Sequence, residues 1–225
     1  MKPGAKLGYL VGFVAFLAAL VFLFLPSQEA SRAVGPANTG HEDLNCQDCH
    51  LPADGTIRQQ VQANVRHQLG LRANPVDFQH QNVDNDNCLA CHERETDAHP
   101  VFRFNEPRFA EARANIEPQV CTSCHLEHEG VRVTIGTTFC VECHQDLELP
   151  NDPLDVPHDE LIADQNWESC LGCHDYHGNH IMDVETAVDN TLPISEIEAY
   201  FEGALSPYSD QKQFSAKQSL LEETP

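Results

Sequence analysis

Basic residues, methionine and tryptophan are scarce in this 225-residue sequence, which has 13 Lys plus Arg against 35 Asp plus Glu, two Met and one Trp. The shortage of cations argues against nucleic acid as a partner, because binding phosphates takes clustered Lys and Arg. Large apolar side chains are also few once the stretch before Pro26 is set aside. Residues 26–225 hold 15 Leu, 13 Val, 7 Ile and 7 Phe, 42 of 200 positions or 21%. The same stretch carries all 35 acids and 11 of the 13 bases, a net charge of −24. This composition lies at the edge of disorder. A core of side chains alone is therefore not expected, although the length suits one or two domains. Something else must supply apolar volume.

The stretch before Pro26 is the exception. Leu7 to Leu25 is an unbroken run of 19 apolar or small residues, preceded by Lys2 and Lys6 and closed by Pro26. A membrane span takes about 20 such residues, and a secretory signal core about 7–15. Ser31-Arg32-Ala33 resembles a weak cleavage site, but the length favours an uncleaved transmembrane anchor over 7–25. Lysines before the run and acids after it place a short cytoplasmic end at 1–6. The expectation is a single-pass protein of the bacterial cytoplasmic (inner) membrane, with the rest of the chain in the periplasm.

What the sequence has in abundance is cysteine and histidine, ten and 13. The cysteines form five pairs, each followed by a histidine: Cys46-Gln-Asp-Cys49-His50, Cys88-Leu-Ala-Cys91-His92, Cys121-Thr-Ser-Cys124-His125, Cys140-Val-Glu-Cys143-His144 and Cys170-Leu-Gly-Cys173-His174. This is the attachment signal for c-type haem. Two thiols add to the two vinyl groups of one porphyrin, and the next residue sets an imidazole under the iron. Zinc ribbons pair such knuckles into four-ligand sites, which an odd number of knuckles does not suit. Structural disulfides leave the repeated histidine unexplained. Five covalently attached haems c are expected, with the ten cysteines as attachment points and His50, His92, His125, His144 and His174 as proximal ligands.

Eight histidines remain, and Met182 is the sole methionine beyond Met1. Five irons with eight spare imidazoles imply mostly bis-histidine ligation. The distal set is read as His41, His80, His128, His158 and His180, leaving His67, His99 and His177 outside it. A histidine close to a motif often cannot fold back over its own haem, so His41 and His128 are expected to reach a neighbour's.

The motifs start at positions 46, 88, 121, 140 and 170, and the chain from His41 to His180 must serve all five haems. That is too little protein to wrap each porphyrin separately. The shortest gap, between the third and fourth motifs, suggests those two as the closest pair. A linker over 26–40 and a haem domain over 41–180 are expected, followed by an acidic tail over 181–225. The tail has nine acids, two lysines, no Cys or His, and an amphipathic stretch from Ile194 to Leu205. Pro107 and Pro118 bracket a predicted helix whose arginines could face haem propionates or solvent. Val131 to Ile135 is the best short strand candidate. Asp84-Asn-Asp-Asn87 reads as a turn rather than a calcium loop.

The five motifs, Phe78-x-His80 and Cys124-His125-x-x-His128 make residues 41–180 resemble the multihaem cytochromes c, in particular the class III group typified by cytochromes c3 and c7. The resemblance implies a coil-rich fold with short α-helices around five stacked haems, bis-histidine iron and electron transfer. Anchored pentahaem chains also look like redox subunits of quinol-oxidising complexes. The expected role is a relay between a membrane, quinol-linked donor and a periplasmic acceptor, with acidity favouring basic-faced redox partners. The alternative is a multihaem reductase of a small nitrogen or sulfur oxyanion, which would need an open iron site. A passive assembly or sensor subunit is a third possibility. Scarce methionine, whose sulfur raises haem potential, predicts low-potential centres. Electron paramagnetic resonance of the haem-loaded protein should therefore show low-spin bis-histidine iron; mainly high-spin or His/Met signals would contradict this.

Overall fold

The computed structural model describes residues 3–23 and 34–217, with side chains at 6–22 and 34–217. It divides into two units, Met1–Pro36 and Ala37–Pro225. Residues 26–33 of the expected linker, the Ser31-Arg32-Ala33 site and residues 218–225 of the tail lie outside the described residues.

In the first unit, helix α1 (Pro3–Leu23) takes up most of the apolar run. The expectation of a transmembrane helix over 7–25 is corrected here. Among the described residues, no helix is long and apolar enough to cross a membrane.

The second unit is coil and short helix. Among its described residues there is no strand, only the single-residue bridges Pro52–His80 and His180–Lys212. The strand candidate 131–135 does not form. The amides of Arg132 and Val133 both donate to the Phe201 carbonyl and that of Thr134 to Cys124, so no second strand is offered to them. The expected fold built around five stacked haems is corrected with the transmembrane helix. What is observed is a helix-and-coil unit in which no group of three or more His, Cys, Asp or Glu side chains is arranged to hold a metal ion, among the described residues.

The helices are short because turn residues interrupt them. They are α2 (Cys46–Cys49), α3 (Ile57–Gln68), α4 (Asn85–His92), α5 (Ala110–Asn115), α6 (Val141–His144), α7 (His158–Ala163), α8 (Ser169–Cys173) and α9 (Ile194–Phe201). Thr56 caps α3 through a reciprocal pair of bonds with Gln59, a capping box. Asp84 caps α4 by accepting from the amides of Asp86 and Asn87, so the Asp84–Asn87 stretch serves as a helix start. Pro107 opens a 3-10 turn (Pro107–Phe109) that runs into α5. The arginines of this region are engaged locally. Arg113 donates to the carbonyls of Phe104 and Glu106 at 2.6 and 2.7 Å, and Arg108 pairs with Glu106 at 2.9 Å.

Only seven hydrophobic residues are buried in the described chain, and three of them, Leu171, Ile197 and Tyr208, form one cluster. Phe139, Tyr176, Met182 and Leu192 pack around it. The acidic tail is therefore part of this unit's packing: α9 lays its apolar face on α8, and the Tyr208 hydroxyl donates to the Leu171 carbonyl at 2.8 Å. Gly172 permits the approach. A Cβ there would lie 2.8 Å from the Leu192 carbonyl oxygen, closer than atoms tolerate, while the Leu192 amide donates to the Gly172 carbonyl.

Ile197 is fully enclosed, with 0% exposure. Truncating a buried Ile to Ala costs about 2–5 kcal/mol through lost transfer energy and a residual cavity. Ile197→Ala should accordingly lower the thermal midpoint by several degrees, followed by far-ultraviolet circular dichroism. An unchanged midpoint would mean that the tail contributes no packing energy.

Candidate haem-ligand sites

A single helical turn explains why the motif has its spacing. Residues i, i+3 and i+4 fall on one face of a helix, so α2, α4, α6 and α8 each present two thiols and an imidazole to one side. The turn is closed by the histidine amide donating to the first cysteine's carbonyl: His50 to Cys46 at 2.8 Å, His144 to Cys140 at 3.0 Å and His174 to Cys170 at 2.8 Å. The third motif does the same without an α-helix, on a 3-10 turn (Cys121–Ser123), with His125 donating to Cys121 at 3.0 Å. All ten cysteines are free thiols.

Burial pushes all five motif imidazoles below their ordinary pKa. His92 is lowered furthest, to about 4, by burial and then by the nearby charges of His41 and Arg94. A lowered histidine pKa keeps the ring neutral at neutral pH, and the neutral ring has the lone pair a metal needs.

Each motif histidine faces a second imidazole. His92 faces His41, with ring centroids 5.9 Å apart. His125 faces His177 at 6.1 Å, His144 faces His99 at 6.2 Å, and His174 faces His158 at 6.4 Å. His50 has two such neighbours, His80 at 6.1 Å and His128 at 6.2 Å. Two imidazoles bonded to one metal from opposite sides, at about 2 Å each, would put their centroids about 6 Å apart. The donor set of every site, two unlinked thiols, a neutral imidazole and a facing imidazole, would suit a haem c held by the thiols and both imidazoles.

Long-range contacts bring the partners in. His80 reaches His50 because residues 51–53 and 79–81 run side by side, with Ala53 donating to Gln79 and Gln81 to Leu51. Buried Gln60 fastens that junction: its amide nitrogen donates to the carbonyls of Ala53, Asp54 and Gly55, and its oxygen accepts from the Gln79 amide. His41 is delivered by the segment ahead of it. Buried Asn38 donates to the Leu126 carbonyl and accepts from the amides of Glu129 and Gly130. The same contact turns His128 toward His50, at a backbone φ of +69°. His41 and His128 thus both lie beside a motif other than their nearest one.

Two partners come from outside the distal set read from the sequence. His99 precedes the third motif but faces the fourth, and His177 follows the fifth motif but faces the third. Their segments brace each other: Ala98 donates to the His177 carbonyl, His99 Nδ1 lies 2.6 Å from the Tyr176 carbonyl, and His177 Nδ1 lies 3.2 Å from Asp97 Oδ2. His180 sits elsewhere, buried between Asp175 at 2.9 Å and Ser206 Oγ at 3.4 Å, with its ring 5.2 Å from that of Tyr208. His67 rests on the Arg72 carbonyl. Met182 packs against the Leu171–Ile197–Tyr208 cluster. No sequence signal separates His177 from its near neighbour His180; the choice is made by Asp97, which lies far from both in sequence.

The motifs follow one another in chain order. α2 lies against α4. The neighbouring Cys121 thiol, together with burial, pushes Cys88 up. Cys140 is raised in the same way by Cys170, and the neighbouring Cys140 lowers Cys170 to about 7. The second and third motifs, and the fourth and fifth, thus place one thiol of each near the other. Tyr176 lies between the rings that face the third and fourth motifs, while the chain between those motifs meets Asn38 and Phe201. The Tyr176 ring stacks on His99 at 4.3 Å and 8° and meets His177 edge-on at 5.0 Å. A cleft of about 320 Å³ beside Cys91 and His92 is also lined by Arg94, Asp175, His180 and Lys212.

Compared with protein-family models, with curated proteins and with solved structures, the chain matches none.

Proposed function

We propose that this protein is an electron-transfer protein carrying five covalently attached haems c, working in an exported compartment between a quinol-linked donor and a soluble acceptor. The observation that supports it best is the meeting of every Cys-x-x-Cys-His histidine with a second imidazole at 5.9–6.4 Å. When bound, haem c supplies a one-electron iron couple with little change in ligation. The chain's own work is to hold ligands. Helical turns aim the thiols and proximal imidazoles, and segments 37–41, 79–81, 97–99 and 175–178 bring the opposing rings. Tyr176, kept neutral because burial raises its pKa, fills the space between His99 and His177 and excludes water there. Arg94 and Lys212, beside Cys91 and His92, are cations suited to acidic substituents. The export follows from the chemistry of thioether attachment, which takes place outside the cytoplasm. An oxyanion reductase would need one motif histidine with no imidazole opposite it, and the pairing gives that reading no support.

Removing one facing imidazole should open one iron. In haem-loaded His99→Ala, roughly one haem in five should become high-spin and bind carbon monoxide on reduction. Pyridine haemochrome should still count five haems. His67→Ala is the comparison and should change neither spectrum. If His99→Ala leaves all iron low-spin, His99 is not a ligand.

The charge of −22 on the whole chain should steer basic-faced partners, so the second-order rate with such a partner should fall severalfold between low and physiological ionic strength. A rate independent of salt, measured by stopped-flow, would remove steering from the proposal.

A further inference from the structure

The imidazoles that face the motif histidines do not all have the same partner at their other nitrogen. His41 Nδ1 lies 2.7 Å from Glu127 Oε1, and His158 Nδ1 lies 2.8 Å from Asp152 Oδ2. His177 Nδ1 is 3.2 and 3.3 Å from the two oxygens of Asp97. His99 Nδ1 meets no carboxylate but the backbone carbonyl of Tyr176, at 2.6 Å. In each case Nδ1 is engaged, so a metal would be bound through Nε2. These contacts are built in: the Asp152 carboxylate also accepts from the amides of Leu154 and His158, and Asp97 also accepts from the His99 amide. Arg94 lies 3.7 Å from Asp97, so part of that carboxylate's charge is already answered.

An imidazole N–H donating to a carboxylate gains imidazolate character and becomes a stronger donor to its metal, whereas donation to a neutral carbonyl does this far less. A stronger axial donor, with a negative charge beside it, favours the ferric state and lowers the reduction potential. We infer that Glu127, Asp152 and Asp97 are tuning residues that divide the haem sites by potential. The second and fifth sites, served by His41 and His158, are the most reducing, the third is intermediate, and the fourth, served by His99, is more oxidising. This rests on the haem reading above. It adds an energetic sequence to the spatial one: the fourth site, next to Tyr176, is a place where an electron arriving from the second and third sites would collect before the fifth.

The experiment is a spectroelectrochemical titration of the haem-loaded protein and of Glu127→Gln and Asp152→Asn, each of which keeps an acceptor oxygen but removes the charge. Each variant should shift one of five potentials upward and move one low-spin paramagnetic resonance signal, with five haems still present. Glu129→Gln removes an exposed neighbouring acid that pairs with none of these imidazoles, and it should leave both readouts in place. Should Glu127→Gln and Asp152→Asn shift no potential while five low-spin haems are counted, the tuning role is wrong and the haem reading stands. An equal shift in Glu129→Gln would make the effect a general field and would also overturn it. A protein that carries no haem would overturn the reading and the tuning together.

Discussion

The structure depends on one geometric demand: an imidazole fixed by one helical turn must meet a second imidazole with ring centroids 5.9–6.4 Å apart. The near partner costs the chain almost nothing, since Cys-x-x-Cys-His is a single turn closed by its own backbone bond. The far partner has to be fetched. Several long-range contacts outside the Leu171–Ile197–Tyr208 cluster serve that purpose. Gln60 ties 53–55 to 79, Asn38 ties 38 to 126–130, and residues 97–99 and 175–178 hold one another. A chain with few large apolar residues cannot order these loops by burial alone. It uses buried amides and carboxylates instead, each satisfied several times over.

Exchange of partners is the organising pattern. The histidine before the first motif serves the second, that after the third serves the first, that between the second and third serves the fourth, and that after the fifth serves the third. Only the fifth motif, through His158, and the first, through His80, draw a partner from the chain next to them. The unit is thus cross-linked by its ligand pairs, and the tail beyond residue 180 is drawn in by α9 and Tyr208. Tyr176 stands where two exchanged segments cross, touching both His99 and His177. That position makes it the joint between the first three motifs and the last two.

Much of this was legible in the residues. The motif fixes which cysteines and which five histidines act together, because the spacing is that of a helical turn. The excess of histidine over methionine indicated imidazole as the second partner. Pro107 marked a helix start because a fixed φ acts locally, whereas Asp84, read as part of a turn, caps α4. The expectations that failed were long-range ones. Residues 131–135 have β-prone side chains but no strand to pair with, since Phe201 and Cys124 take their amides. The apolar run at the amino end forms a helix, yet among the described residues none meets the length and apolarity of a membrane span.

The distal set shows most clearly where sequence stops. His177 and His180 have the same residue type, the same loop and nearly the same distance from the fifth motif. Asp175 turns His180 into the packed tail, and Asp97 holds His177 beside His125. Residue types and short spacings determined how many Cys-x-x-Cys-His turns the chain has and which histidine closes each, because those follow from bonds within one turn. Which distant imidazole meets which motif was decided only by tertiary structure, because it depends on carboxylates and carbonyls up to 86 residues apart in sequence, as in His41 and Glu127.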